Sequence, residues 1–221
     1  MSAATPGDLS GRTFVTAGGV LEVQRLLGRG KSGYSWLAIR DGVEVVLKLM
    51  HDEPNPYYVF NGNKVEAEVS AWHRLSACGI PVPALLEHDA GGGYLVKACI
   101  AGTLAAEAIA RGTFTDDVFR QLFTIAHRLQ AHGLNTDTFP TNFIITPSGL
   151  LVCIDYEVNP YQPEWSLEQW GIYYWINPAG MRAFLETGDA AHINADIDRG
   201  QPHRAGFEAQ VRALIERWGK A

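Results

Sequence analysis

The chain has 221 residues, of which 47% are hydrophobic and 19% charged, and it carries a net charge of −6. That composition supports a packed core and excludes wholesale disorder. The basic surplus of a nucleic-acid binder is absent, so no nucleic-acid partner is expected. Three scattered cysteines, Cys78, Cys99 and Cys153, form no CxxC pair, and the seven histidines show no zinc-ligand spacing. The first residues have no apolar core of a signal peptide. No run approaches the ~18 apolar residues of a membrane span, so a cytoplasmic protein without a membrane partner is expected.

In chain order, residues 1–18 read as a flexible lead-in rich in Gly, Ser, Thr and Ala. From Val20 to Met50 the runs VLEVQRLLG, GYSWLAIR and VEVVLKLM have the β-branched and aromatic texture of strands. A glycine-rich turn separates the first two. Asp41-Gly42, a good hairpin signal, separates the second pair. A segment rich in Pro, Asn and Tyr comes next, over 52–63. Residues 64–77 predict a helix with Val65, Glu68, Val69, Trp72 and Leu75 on one face, ended by Gly79 with Pro81 beyond. Two short strands, ALLEHD and GYLVKAC, come after it. The second half predicts helices over 103–111 and 115–132, the latter N-capped by Thr115. Two strands, FIIT and LLVCID, flank a Pro-Ser-Gly turn. Mostly helical chain then continues to a last amphipathic stretch near 205–218. Strands first and helices later predict an α+β fold in two lobes, 19–99 and 100–221.

Several residues stand out against this background. Gly28-Arg29-Gly30-Lys31-Ser32-Gly33 is GxGxxG, whose backbone N–H groups can approach a phosphate. It lies between two strands, and does not open a helix as a dinucleotide-binding loop would. A Walker loop would need glycine where Arg25 stands. Lys48 sits inside an apolar strand, where a buried cation needs a partner or must reach for water. Glu68, on the apolar face of the next helix, is the candidate partner. Glu66, ~200° around the helix, reads as solvated. Asp137 and Asn142 are five apart in a Thr- and Pro-containing loop, a spacing also open to a simple polar turn. Asp155 ends an apolar strand and could bind magnesium or cap the next turn.

In this order, the glycine loop, Lys48, Glu68, Asp137-x4-Asn142 and Asp155 resemble the protein-kinase-like superfamily over about residues 20–178. The likeness is nearest its small bacterial members and RIO-type atypical kinases. The segment GIPVP (79–83) also looks like the aminoglycoside and choline phosphotransferase branch. The resemblance implies ATP and Mg²⁺ as cofactors and a hydroxyl acceptor, protein Ser/Thr or small molecule, as partner. It implies nucleotide contacts from Gly28, Gly30, Lys31, Ser32, Gly33, Val46, Val96 and Cys99. Lys48 would hold the α/β phosphates and Glu68 would anchor it. Asp137 would be the catalytic aspartate, with Asn142 and Asp155 as metal ligands.

The departures are specific. Asn135-Thr136-Asp137 lacks the usual histidine, which puts loop geometry in doubt. Asp155-Tyr156-Glu157 lacks the usual glycine. About ten residues separate Asp155 from a helix predicted over Trp165–Trp175, too few for an activation loop. The aromatic residues of that helix, Trp165, Trp170, Tyr173, Tyr174 and Trp175, recur at helical spacing and read as core. The expected activity is that of an atypical serine/threonine kinase. A small-molecule kinase and a nucleotide-binding pseudokinase are the alternatives.

Overall fold

A computed structural model describes residues 8–53 and 62–219. The chain is mixed α+β, with strands concentrated early and helices later. It divides into two compact units. One falls within Met1–His73 and Pro83–Cys99, the other within Arg74–Val82 and Ile100–Ala221. Most of the Pro/Asn/Tyr-rich segment 52–63 lies outside the described residues.

The first unit is a curled antiparallel sheet of six strands: β1 (Thr13–Thr16), β2 (Gly19–Arg29), β3 (Gly33–Arg40), β4 (Val43–Met50), β5 (Leu85–Asp89) and β6 (Tyr94–Ala98). Their order is β1-β2-β3-β4-β6-β5. The β3–β4 turn forms as its Asp-Gly pair predicts, with Asp41 at φ 52° and Gly42 at φ 77°, the left-handed pair that matches the twist of a two-residue hairpin. Alternation then sorts the side chains. Val45, Leu47 and Leu49 join Leu21, Val23, Trp36, Ala38 and Val96 in one apolar core. Val46 and Lys48 therefore occupy the opposite face. Helix α1 (Lys64–Ala77) has the predicted limits and buries Val65, Glu68 and Leu75, while Glu66 is exposed.

The expectation of a flexible lead-in is corrected over residues 8–18. Thr13–Thr16 pairs with β2, and Phe14 packs against the sheet core. Glu87 holds the β1–β2 turn from β5, the opposite edge of the sheet. Its carboxylate accepts hydrogen bonds from Thr16 Oγ1 (3.0 Å), the Gly18 N–H (3.1 Å) and Tyr94 Oη (2.9 Å), and pairs with Arg40 at 2.7 Å. One side chain thus fastens both edges of the curled sheet.

The second unit is built on α2 (Ala105–Arg111) and α3 (Asp116–Ala131), with α4 (Ile172–Trp175), α5 (Pro178–Thr187) and α6 (Glu208–Trp218). Strand β7 (Thr103–Leu104) takes the first turn expected of the 103–111 helix. It pairs with β9 (Phe143–Ile145), which pairs with β10 (Leu151–Cys153). β8 (Leu134–Asn135) pairs with β11 (Asn159–Pro160), and β12 (Asn194–Asp196) with β13 (Gln201–Pro202). Thr115 is at the N-cap of α3 but its side chain makes no cap bond. The predicted helix over Trp165–Trp175 is broken into a 3₁₀ turn (Pro163–Trp165), a π-helical turn (Leu167–Gly171) and α4. Among the described residues no helix is long and apolar enough to cross a membrane.

Burial raises the Glu87 carboxyl, but hydrogen bonds from Gly18, Tyr94, Thr16 and Arg40 outweigh it and hold the group below the ordinary carboxylate range. A depressed folded-state value stabilises the fold above the unfolded-state pKa, and that stability disappears as pH falls through the folded one. The melting temperature of the wild type should therefore drop more steeply below pH ~4 than that of Glu87→Gln. Calorimetry across pH 3–7 checks this, and parallel curves would refute it.

Candidate functional site

In the first unit the candidate residues converge on the end of β4. Lys48 is paired in register with Ser35 on β3 and Leu95 on β6, so it sits mid-sheet and cannot reach solvent along an edge. It is 5% exposed, as is Glu68. Lys48 Nζ lies 2.5 Å from Glu68 Oε1, the pair the sequence predicts. Ser32 Oγ donates to the same oxygen at 2.9 Å. Glu68 Oε2 is buried with no hydrogen-bond partner among the described residues. A buried carboxylate with one unsatisfied oxygen is costly, so this end of the site has capacity for a further donor.

The glycine loop joins β2 to β3 as predicted, with Arg29 opposite Tyr34. Its position is fixed from below. The Gly30 N–H donates to Gly33 O (2.9 Å), the His51 N–H to Ser32 O (3.0 Å), and His51 Nε2 meets Gly30 O at 3.1 Å. The glycines are not equivalent. A Cβ at Gly33 would stand 2.5 Å from Leu49 O, whereas one at Gly28 would meet nothing within 4 Å. Gly33 is required by close packing on β4. Gly28 leaves room for an approaching group, whereas Gly30 spends both its N–H and its C=O within the turn and on His51. Lys31 is exposed at the loop tip.

Val46 shares the Lys48 face and is 8% exposed. Val96 does not line that face, and its predicted nucleotide contact is corrected. It is 0% exposed in the sheet core, and its strand is paired on both sides. The residue that β6 presents opposite Val46 is Lys97, also buried. The sequence carried the same signal there as at Lys48, a lysine inside an apolar run. Cys99 is half-buried just beyond β6. Burial raises its thiol, Glu44 adds to this, and Arg25 opposes it.

In the second unit Asp137, Asn142 and Asp155 are linked through the backbone. Asp137 accepts the Phe139 N–H at 3.0 Å, closing a local turn. Asn142 ends a 3₁₀ turn begun by Pro140. Its Nδ2 donates to Asp137 O at 3.2 Å, which leaves the amide oxygen as the end able to ligate a cation. The Ile154 N–H donates to Asn142 O at 2.9 Å, bringing the segment of Asp155 alongside. Asp155 lies two residues past β10, not at its end. Among the described residues no three His, Cys, Asp or Glu side chains cluster for a metal. An amide and a carboxylate oxygen together suit Mg²⁺, which takes few protein ligands and keeps waters or phosphate oxygens.

The loop's support was missed in the sequence. Thr136 Oγ1 donates to Glu157 O at 2.7 Å, and the buried Trp175 Nε1 donates to Thr138 O at 2.8 Å. Gly171, at the end of the π-helical turn, approaches so closely that a Cβ there would fall 1.9 Å from Thr138 Oγ1. Phe139 packs edge-on against Tyr174 at 4.9 Å. Burial pushes the Tyr174 phenol up, and the Asp137 charge adds to this, while Arg204 acts against it.

No protein-family model matches the chain, and no curated protein sequence matches it.

Removing one member of a buried ion pair strands the other charge. Lys48→Met and Glu68→Gln should each cost about 3–5 kcal/mol, and the double variant less than their sum. Gly33→Ala should cost about 1–3 kcal/mol, while Gly28→Ala should stay within about 0.5 kcal/mol. Urea denaturation measures all of these; equal effects at the two glycines would refute the packing argument.

Proposed function

We propose that this protein is an Mg-ATP-dependent phosphotransferase acting on a hydroxyl acceptor, in the manner of an atypical serine/threonine kinase. The observation that carries the reading is the buried Lys48–Glu68 pair beneath the glycine loop. A protein gains little stability from burying such a pair in place of apolar residues, so its presence points to use.

In this reading Lys48 neutralises phosphate oxygens, Glu68 fixes its position, and the glycine loop, open at Gly28, lets the phosphates approach the backbone. Asp137 orients the acceptor hydroxyl by accepting its hydrogen bond. Asn142 and Asp155 supply oxygen ligands for Mg²⁺. Mg-ATP supplies the phosphoryl group and the charge that these residues offset. Catalysis of this kind is positioning and electrostatics, and it needs a rigid aspartate loop. The missing histidine before Asp137 does not leave that loop loose, because Thr136, Trp175 and Gly171 clamp it. That observation favours an active enzyme over a pseudokinase.

Transfer from labelled ATP to a mixed panel of protein and small-molecule hydroxyl acceptors tests the proposal. Asp137→Asn should lower turnover by about 10²–10⁴-fold, and Asp155→Ala should also abolish the Mg²⁺ dependence. Turnover unchanged in both variants would overturn the reading.

A further inference from the structure

Arg204 carries hydrogen-bonding capacity that the second unit does not use. Among the described residues its side chain forms no ion pair and no hydrogen bond, and its Nε is buried and unsatisfied. Its guanidinium carbon lies 5.7 Å from the centre of the Trp170 ring and 5.3 Å from that of Tyr173. Two aromatic rings therefore hold a planar cation whose donors are unspent. The guanidinium is not needed to fasten its own segment. Pro202 is paired in β13, the His203 N–H donates to Ile193 O at 3.1 Å, and His203 Nε2 meets Ala191 O at 2.9 Å.

The position is as informative as the unused donors. Tyr173 is adjacent to Tyr174, whose ring packs on Phe139, the residue whose N–H binds Asp137. Tyr173 and Tyr174 are neighbours on α4, so the arginine and the aspartate loop both reach that one short helix within a single unit. A cation held ready near a group that would orient a hydroxyl calls for an anionic substituent on the molecule bearing that hydroxyl.

We infer that Arg204, seated on Trp170 and Tyr173, is an oxyanion-binding group that takes a phosphate or carboxylate of the acceptor. The oxyanion site stands on Arg204 itself; that its ligand is the acceptor rests on the phosphotransferase reading. A guanidinium binds such groups through two parallel N–H donors. This selects acidic acceptors and disfavours polycationic ones such as aminoglycosides.

The test has two arms. In the first, inorganic phosphate and acetate are titrated separately at constant ionic strength set by KCl, with tryptophan fluorescence as the readout, for wild type, Arg204→Gln, Arg204→Lys and, as a control at an exposed arginine, Arg212→Gln. Wild type should give a saturable response that chloride does not give. Arg204→Gln should weaken phosphate binding about tenfold or more, Arg204→Lys should weaken it less, and Arg212→Gln should leave it. A response to phosphate alone marks a phosphate site, and one to both anions marks a general oxyanion site. Should Arg204→Gln fail to fold, Arg204→Lys decides, because it keeps the charge and loses the fork. No saturable response in wild type, or a response that the Arg204 variants leave unchanged, overturns the site. In the second arm, labelled-ATP transfer compares serine peptides that differ only by glutamate or glutamine beside the serine. The acidic peptide should react faster with wild type, and Arg204→Gln should erase the difference. Equal rates with wild type overturn the acceptor assignment. No transfer to any acceptor overturns the phosphotransferase reading instead, while the first arm still decides the site.

Discussion

A lysine and a glutamate buried against each other constrain the first unit more than any other contact. Once Val45, Leu47 and Leu49 of β4 turn into the apolar core, alternation forces Lys48 onto the other face, in the middle of the sheet. A mid-sheet ammonium has no edge by which to reach water, so something must bring a carboxylate to it. Helix α1 does so through Glu68, and this fixes both the face of α1 that is buried and its rotation about its own axis. Ser32 then ties the glycine loop to the same oxygen. Sheet, helix and loop are therefore in register through three side chains.

The sequence was most legible where a local rule and a tertiary need agreed. The Asp41-Gly42 hairpin follows from left-handed turn chemistry, and the limits of α1 follow from its periodicity and Gly79. The Lys48–Glu68 pair was legible because two charges in apolar patterns require an explanation, and each supplies the other's. Strand β1 was not legible, since TFVT lies among glycines and small polar residues, and only pairing with β2 and the Glu87 hydrogen bonds order it. Val96 was misjudged because a continuous apolar run does not say which residues face which side; register settles it. The broken helix over 163–175 was invisible for another reason. The aromatic spacing is helical, but the approach of Gly171 to Thr138 is a distant contact with no local signature.

The aromatic segment after residue 163 serves packing and position together. Trp175 is 1% exposed and packs against Phe143, as core residues do. Its indole N–H nevertheless carries one of the bonds that hold the Asp137 loop. A π-helical turn inserts an extra residue into the helical path and re-aims the residues beyond it. Here it brings Gly171 against Thr138. The division between core and site, convenient for reading sequences, does not hold in this segment.

Glu87 has a consequence outside the folded monomer. The two rims of a sheet carry unpaired backbone N–H and C=O groups, which are templates for a strand from another molecule. A single carboxylate ties the β1–β2 turn to β5, so the two border strands are held to each other by one ionised group. Protonating it would loosen both borders together, and loosened borders are where a strand of another molecule adds.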